Sequence, residues 1–333
     1  MRVAVIGAGS IGQLHARVLA AHPLVEELVV ADVDRGRAEA IAAAADARVA
    51  DVDAAIDGAD ALVVAAATEG HAALVRAGIA RRIPTFCEKP LATDLAESAR
   101  LVVEIDESGI PFQLGFQRRY DAAYREARRL VATAEIGRLY ELRMTATDHT
   151  PPSDSYLPSP GNYFRDSWIH DFDASRYITA AEVESIYVEG AVRGFERLTN
   201  HGDLDTAVAT IRMRDGTLAS LAGGRHNPRG YDVRMELVGS RDAVVVGLGP
   251  RTPIRPLDAD AFAMETGWDS YLDRFESAYR AELAAFMEVA VGQAPSACTA
   301  RDGLEAMRIA EAATRSRAER RVVDLEEIES ESA

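Results

Sequence analysis

Short, continuously apolar runs alternate with stretches of helical periodicity over the first 120 residues. Arg2–Ile6, Leu28–Ala31, Ala61–Ala65, Ile83–Phe86 and Pro111–Leu114 read as strands. Ile11–Ala20, Arg35–Ala44, Glu69–Ala80 and Leu95–Ile105 read as the helices between them. The apolar runs lack the alternation of a strand with one solvated face, so they suit central strands of a parallel sheet covered by helices on both sides. This order predicts an α/β, doubly wound domain over residues 1–120.

After that the pattern changes. A helix over Ala122–Ala132 leads to a strand over Leu139–Thr145. The stretch Asp148–Asn162 is rich in Pro, Ser, Asp and Gly, has no period, and reads as a functional loop. Trp168–Tyr177 reads as a helix. Strands are expected at Val183–Val188, Thr206–Arg212, Thr217–Ala222 and Val233–Leu237, with Val244–Val246 as an addition and a tight turn at Asp215-Gly216. Helices over Phe275–Val291 and Arg301–Arg315 and a strand over Val322–Leu325 close the series. Residues 121–325 are thus assigned to a second, α+β domain on a mostly antiparallel open sheet, and 326–333 to a frayed acidic tail.

Composition narrows the function. A chain of 333 residues exceeds what one core usually holds, and 48% hydrophobic with 27% charged residues is ordinary for a globular protein. Thirty-seven Lys and Arg against 53 Asp and Glu give a formal charge of −16, which argues against a broad nucleic-acid surface. Two cysteines, Cys87 and Cys298, offer neither a disulfide framework nor a Cys-rich metal motif, and Cys87 reads as core. No apolar run reaches membrane-spanning length and no cationic leader opens the chain, so a cytoplasmic protein with no membrane partner is expected.

The opening Val3-Ala4-Val5-Ile6-Gly7-Ala8-Gly9-Ser10-Ile11-Gly12 is a GxGxxG turn following a predicted strand and opening a helix. In that context Gly7 permits the tight turn, Gly9 lets a pyrophosphate approach the backbone, and Gly12 lets helix and sheet pack. The N–H groups of Ser10 and Ile11 lie at the helix start, where phosphate binds. Asp32, at the end of the second strand, suits the ribose hydroxyls of NAD and would repel the 2′-phosphate of NADP. The rival reading is three turn glycines and a helix-capping aspartate. Thr68 and His71 follow another strand end on the expected nucleotide path, and His15 either approaches the pyrophosphate or lies on the helix surface.

Two segments carry the candidate chemistry. Phe86-Cys87-Glu88-Lys89-Pro90 ends a parallel strand at the edge where open α/β sheets bind ligands, placing Glu88 and Lys89 near the nucleotide. In Tyr163–Asp173 a helix would put Asp166, His170 and Asp173 on one face, and an imidazole flanked by carboxylates suits a general base. A metal site competes there, but HExxH and a second nearby histidine are missing, so no metal is expected. Arg118, Asp148, His149, Tyr156, Asn162 and Arg165 are further polar candidates, with Asp148 and Asn162 foremost as substrate contacts.

Together these motifs resemble the Gfo/Idh/MocA oxidoreductases, and within them the inositol 2-dehydrogenase branch. The resemblance rests on Gly7-Ala8-Gly9-Ser10-Ile11-Gly12, Glu88-Lys89-Pro90, Gly115–Asp121, Phe164-Arg165-Asp166, Ile169–Asp173, Tyr231–Arg234 and Ala278–Leu283. It implies a Rossmann domain followed by an α+β domain, with Lys89, Asp166 and His170 in the catalytic positions. It also implies a cyclitol or sugar substrate, NAD as cofactor, and assembly as a homo-dimer or homo-tetramer. The activity expected is oxidation of a secondary hydroxyl, with His170 as base and with Lys89, Arg118, Asp148, Asn162, Asp166 and His170 around the substrate. The rivals are a sugar-derivative reductase, an epimerase using NAD transiently, and a non-catalytic NAD sensor.

Overall fold

The computed structural model describes residues 1–153, 163–257 and 265–331. Asn162 and Tyr156 lie outside the described residues. Contacts divide the chain differently from a single cut at residue 120. Met1–Tyr120 and Ser277–Glu305 form one unit, and Asp121–Glu276 and Ala306–Ala333 form the other.

The first unit is built on a six-stranded sheet. Its strands are β1 (Arg2–Ile6), β2 (Glu27–Ala31), β3 (Arg48–Val49), β4 (Ala61–Val64), β5 (Thr85–Glu88) and β6 (Phe112–Gly115). They pair in parallel in the order β3-β2-β1-β4-β5-β6. Strand order reverses between β1 and β4, and ligands bind at the carboxyl edge of such a reversal. The connecting helices are α1 (Ser10–Ala20), α2 (Arg35–Ala45), α3 (Val52–Ile56), α4 (Thr68–Ala80) and α5 (Leu95–Ser108). β1 and β4 are buried almost throughout, as their unbroken apolar runs require. Asp34 and Asp94 cap α2 and α5 by accepting from Arg37 N (3.2 Å) and Glu97 N (2.8 Å).

In the second unit, α6 (Ala122–Ala132) is capped by Asp121. Its seven-stranded sheet contains β7 (Leu139–Thr147), β8 (Val183–Ala191), β9 (Thr206–Met213), β10 (Leu218–Gly224), β11 (Asp232–Gly239), β12 (Ala243–Val246) and β13 (Val323–Asp324). The order is β12-β11-β7-β10-β9-β8-β13, and among the described pairings only β7 with β10 is parallel. The inward face carries Leu142, Met144, Ile211, Met213, Leu221 and Leu237, all buried. The other presents Arg143, Val208, Arg212 and Leu218. The helix expected from Trp168 begins earlier, as a π-helical turn over Phe164–Trp168, and continues as α7 (Ile169–Thr179).

Two long helices follow, α8 (Tyr271–Ala290) and α9 (Ala300–Glu319). α8 breaks helical geometry at Phe275, next to the boundary between the units. Within the first unit, Gln113 donates to Glu282 O (2.9 Å) and Leu114 N to Cys298 O (2.9 Å). The acidic end departs from the expected frayed tail. Leu325–Glu331 forms α10, because Leu325 and Ile328, three residues apart, bury one side of it.

Candidate active site

The nucleotide candidates lie at the carboxyl ends of neighbouring strands. Gly7 follows β1, Asp32 follows β2, Thr68 and His71 follow β4, Glu88 ends β5 and Lys89 follows it. Gly7 has φ +114°, a conformation that glycine alone adopts easily. A Cβ on Gly12 would meet Gly7 O at 2.0 Å, whereas one on Gly9 would meet nothing within 4 Å. The space over Gly9 is open, and no side chain caps the start of α1. The N–H groups there, with the positive end of the helix dipole, fit a pyrophosphate.

Asp32 closes the turn. Its Oδ2 accepts from Ala8 N (2.6 Å) and its Oδ1 from Asp34 N (2.7 Å), while Val33 beside it is fully exposed. A carboxylate fixed by two backbone N–H groups, with Val33 next to it in the chain, fits NAD. The glycines make a sharp prediction. Gly9→Ala leaves stability within about 0.5 kcal/mol, since the new methyl meets no protein atom, but weakens NAD binding by about tenfold or more. Gly12→Ala instead lowers stability, since its methyl strikes backbone. Calorimetric NAD titration beside thermal melts checks both.

Other candidates in this unit are placed more deeply than their sequence suggests. His15 is wholly buried, on neither the phosphate path nor the helix surface; its Nε2 lies 2.7 Å from Glu88 Oε1. His71 is buried too, with Nδ1 2.7 Å from Pro90 O and Nε2 3.0 Å from Ala66 O. Burial pushes its imidazole below the ordinary range, against the opposite pull of those two carbonyls. Cys87 is core, and burial pushes its thiol up. Lys89 is half-buried, Thr68 opens α4, and Arg118 is buried in a 3-10 turn over Gln117–Tyr120.

The acid–base candidates belong to the second unit. Asp166 lies in the π-helical turn and His170 in the first turn of α7, both half-buried. Such turns are rare and recur at functional sites. Asp173, expected on a shared face with them, is buried in α7. Tyr163, Phe164, Trp168 and Phe172 anchor the turn, with neighbouring ring centroids 5.3 to 6.2 Å apart. Arg165 pairs with Glu311, a structural tie for that candidate. Asp148 follows β7, where its N donates to Gly224 O (2.9 Å), and its charge acts on Tyr163 and Arg225. His149 lies 4.0 Å from Asp269.

Two residues absent from the sequence reading complete this half. Arg225, 2% exposed, donates to Asp203 Oδ2 at 2.6 Å and reaches Asp166 Oδ2 at 3.4 Å and Ser167 Oγ at 3.3 Å. Asp203, 6% exposed, also accepts from Tyr163 N at 3.1 Å. Burial by itself would lower the Arg225 pKa, but the charges of Asp203 and Asp166 raise it. The guanidinium therefore holds Asp166 against a buried acid. Arg225→Met leaves Asp203 charged and unpaired, so a loss of about 3–5 kcal/mol is expected, read as a lower urea midpoint. An unchanged midpoint would remove Arg225 from this role. Among the described residues, no three His, Cys, Asp or Glu side chains gather as a metal ion would require. No described helix is long and apolar enough to cross a membrane.

Residues 1–116 match the model of an oxidoreductase family with an NAD-binding Rossmann fold, and residues 124–245 match the GFO/IDH/MocA C-terminal domain. The chain is 38% identical over 323 residues to myo-inositol dehydrogenase Hyg17 of Streptomyces leeuwenhoekii, covering 95% of this chain and 97% of that protein. A crystal structure of a myo-inositol dehydrogenase from Corynebacterium glutamicum superimposes with a TM-score of 0.88 at 30% identity, covering 98% of each chain. One from Lactobacillus casei, in complex with NAD(H) and myo-inositol, gives a TM-score of 0.82 at 28% identity, covering 97% of this chain and 96% of that one.

Proposed function

Because this chain belongs to the Gfo/Idh/MocA family and is an NAD-binding oxidoreductase acting on CH–OH groups, we propose that it oxidises a secondary hydroxyl of a cyclitol, an inositol foremost. When bound along the Gly7–Gly12 turn, NAD would supply the hydride acceptor for this oxidation. The imidazole of His170 takes the hydroxyl proton. Asp166, held by Arg225, stabilises the imidazolium that results. The Lys89 ammonium donates to the substrate oxygen as it becomes a carbonyl. Asp148, Arg118 and Asn162 hold the neighbouring hydroxyls. Gly7, Gly9, Ser10, Ile11, Gly12, Asp32, Thr68, His71 and Glu88 surround or support the cofactor.

The observation that carries this reading is Asp166 tied to a buried arginine in the turn preceding His170. A passive surface helix needs no buried cation behind an acidic side chain. A panel of inositol isomers, open polyols and aldoses, read by NADH absorbance, tests it. NADH formed fastest with an inositol supports the reading; no NADH with any polyol overturns it. A cytoplasmic location fits this chemistry. A homo-dimer or homo-tetramer would cover the open sheet face around Val208 and Leu218, which light scattering can read.

A further inference from the structure

Three buried acid–base side chains near Lys89 perform no chemical step in the reaction above: His15, Glu88 and His71. Their contacts reach the backbone of Lys89 and of Pro90, the residue after it. Glu88 Oε2 accepts the N–H of Lys89 at 3.2 Å. Its Oε1 lies 2.7 Å from His15 Nε2, and since a carboxylate can only accept, the imidazole is the donor. On the other side of Lys89, the carbonyl oxygen of Pro90 lies 2.7 Å from His71 Nδ1. The second nitrogen of His71 faces Ala66 O at 3.0 Å, at the loop leaving β4.

These positions are themselves tightly held. His15 has no solvent exposure and packs edge-on against Phe86 (centroids 5.4 Å) and Tyr279 (6.0 Å). Its Nδ1 is buried without a hydrogen-bond partner, so all its bonding is directed at Glu88. The Glu88 carboxylate passes so close to Gly115 that a Cβ there would lie 3.1 Å from Oε2 and 2.9 Å from the Phe86 ring. Glu88 is therefore confined from the β6 side as well. A general structural role would call for apolar side chains at these sites, since burying a polar group costs free energy unless it is paired.

We infer that His15, acting through Glu88, and His71 are positioning residues that fix the peptide N–H entering Lys89 and the carbonyl of Pro90 directly after it, and so aim the Lys89 ammonium. The inference rests on the reading of Lys89 as the group that touches the reacting oxygen. Lysine is a point charge on a flexible four-carbon stem. Packing can narrow its rotamers only after its Cα has a fixed position and direction. Catalytic groups must be held to within about 0.5 Å, and small displacements caused from outside the reacting centre can cost about 10²-fold. One histidine, through Glu88, fixes the amide entering Lys89, and the other fixes the carbonyl of Pro90, the next residue.

The test compares His15→Leu, His15→Gln and Glu88→Gln with the intact chain and with Lys89→Met. Turnover, NAD affinity, thermal stability and the hydrogen exchange of the Lys89 amide by NMR are read on each. The exchange measurement needs no substrate. His15→Leu should lower kcat by about 10- to 10²-fold, leave the NAD Kd within about threefold, and speed exchange at Lys89 more than at Phe86 or Cys87. His15→Gln, which keeps an N–H donor, should recover much of both losses. Glu88→Gln serves if His15→Leu fails to fold, and it should speed the same amide. Unchanged Lys89 exchange and unchanged kcat in folded variants overturn the inference. So does a loss of thermal stability with Lys89 exchange unaltered. If Lys89→Met turned over normally, the reading of Lys89 would fall instead, and the exchange data would still show whether His15 and Glu88 hold its backbone.

Discussion

His170→Ala is expected to lower turnover by about 10²-fold or more, with the fold and NAD binding intact. The fold should survive because α7 is held by Ile169, Phe172 and Ile178, all buried, while His170 itself is half-buried. Alanine is also the best helix former, so the first turn of α7 loses nothing by propensity. What is lost is the acceptor for the hydroxyl proton. The acid limb of the wild-type kcat/KM profile should therefore disappear, since that limb reports the free enzyme's essential base. The measurement is kcat and kcat/KM against pH on whichever inositol reacts fastest, with circular dichroism as the control for folding. Unchanged turnover in a folded variant removes His170 from the reaction and leaves Asp166 and Arg225 a structural pair.

Much of this site was legible in the sequence because its signals are local. The glycine turn needs only six residues and a strand before it, and the structure places Gly7, Gly9 and Gly12 in three distinct steric situations. The parallel sheet was equally readable from unbroken apolar runs. Two short elements, β3 with two residues and α3 with five, are too brief to show a period. Arg225 was invisible for another reason. Its partners lie 22 and 59 residues away in sequence, and strand pairing brings them together. His15 could have been found. It falls with Gly12, Ala16 and Leu19 on the stripe that α1 buries, and a histidine on a buried stripe requires a partner. That partner, Glu88, is 73 residues on, so its identity awaited the fold. The π-helical turn that carries Asp166 has no propensity signature at all, and a regular helix was the natural expectation there.

Lys89→Met should lower turnover by about 10²- to 10³-fold, the scale for removing one donor to a developing oxyanion. The NAD Kd should change by no more than about threefold, because the Gly9 turn and Asp32 make the principal contacts in this reading. A lysine that served only the nucleotide would reverse that pattern, with a raised Kd and a preserved kcat at saturation. Methionine is the informative replacement, since it keeps the aliphatic stem of the half-buried side chain and deletes the charge. Lys89 and His170 belong to separate units of the chain. If they act on one hydroxyl in one step, the base withdrawing its proton as the ammonium stabilises its oxygen, each should be of little use without the other. The double variant should then be scarcely slower than the worse single variant, as for residues that act as a unit. Independent roles would multiply the two losses to about 10⁴-fold or more. A multiplied loss, measured in single-turnover NADH formation, would separate the two groups in the mechanism and end the claim that they share one substrate oxygen.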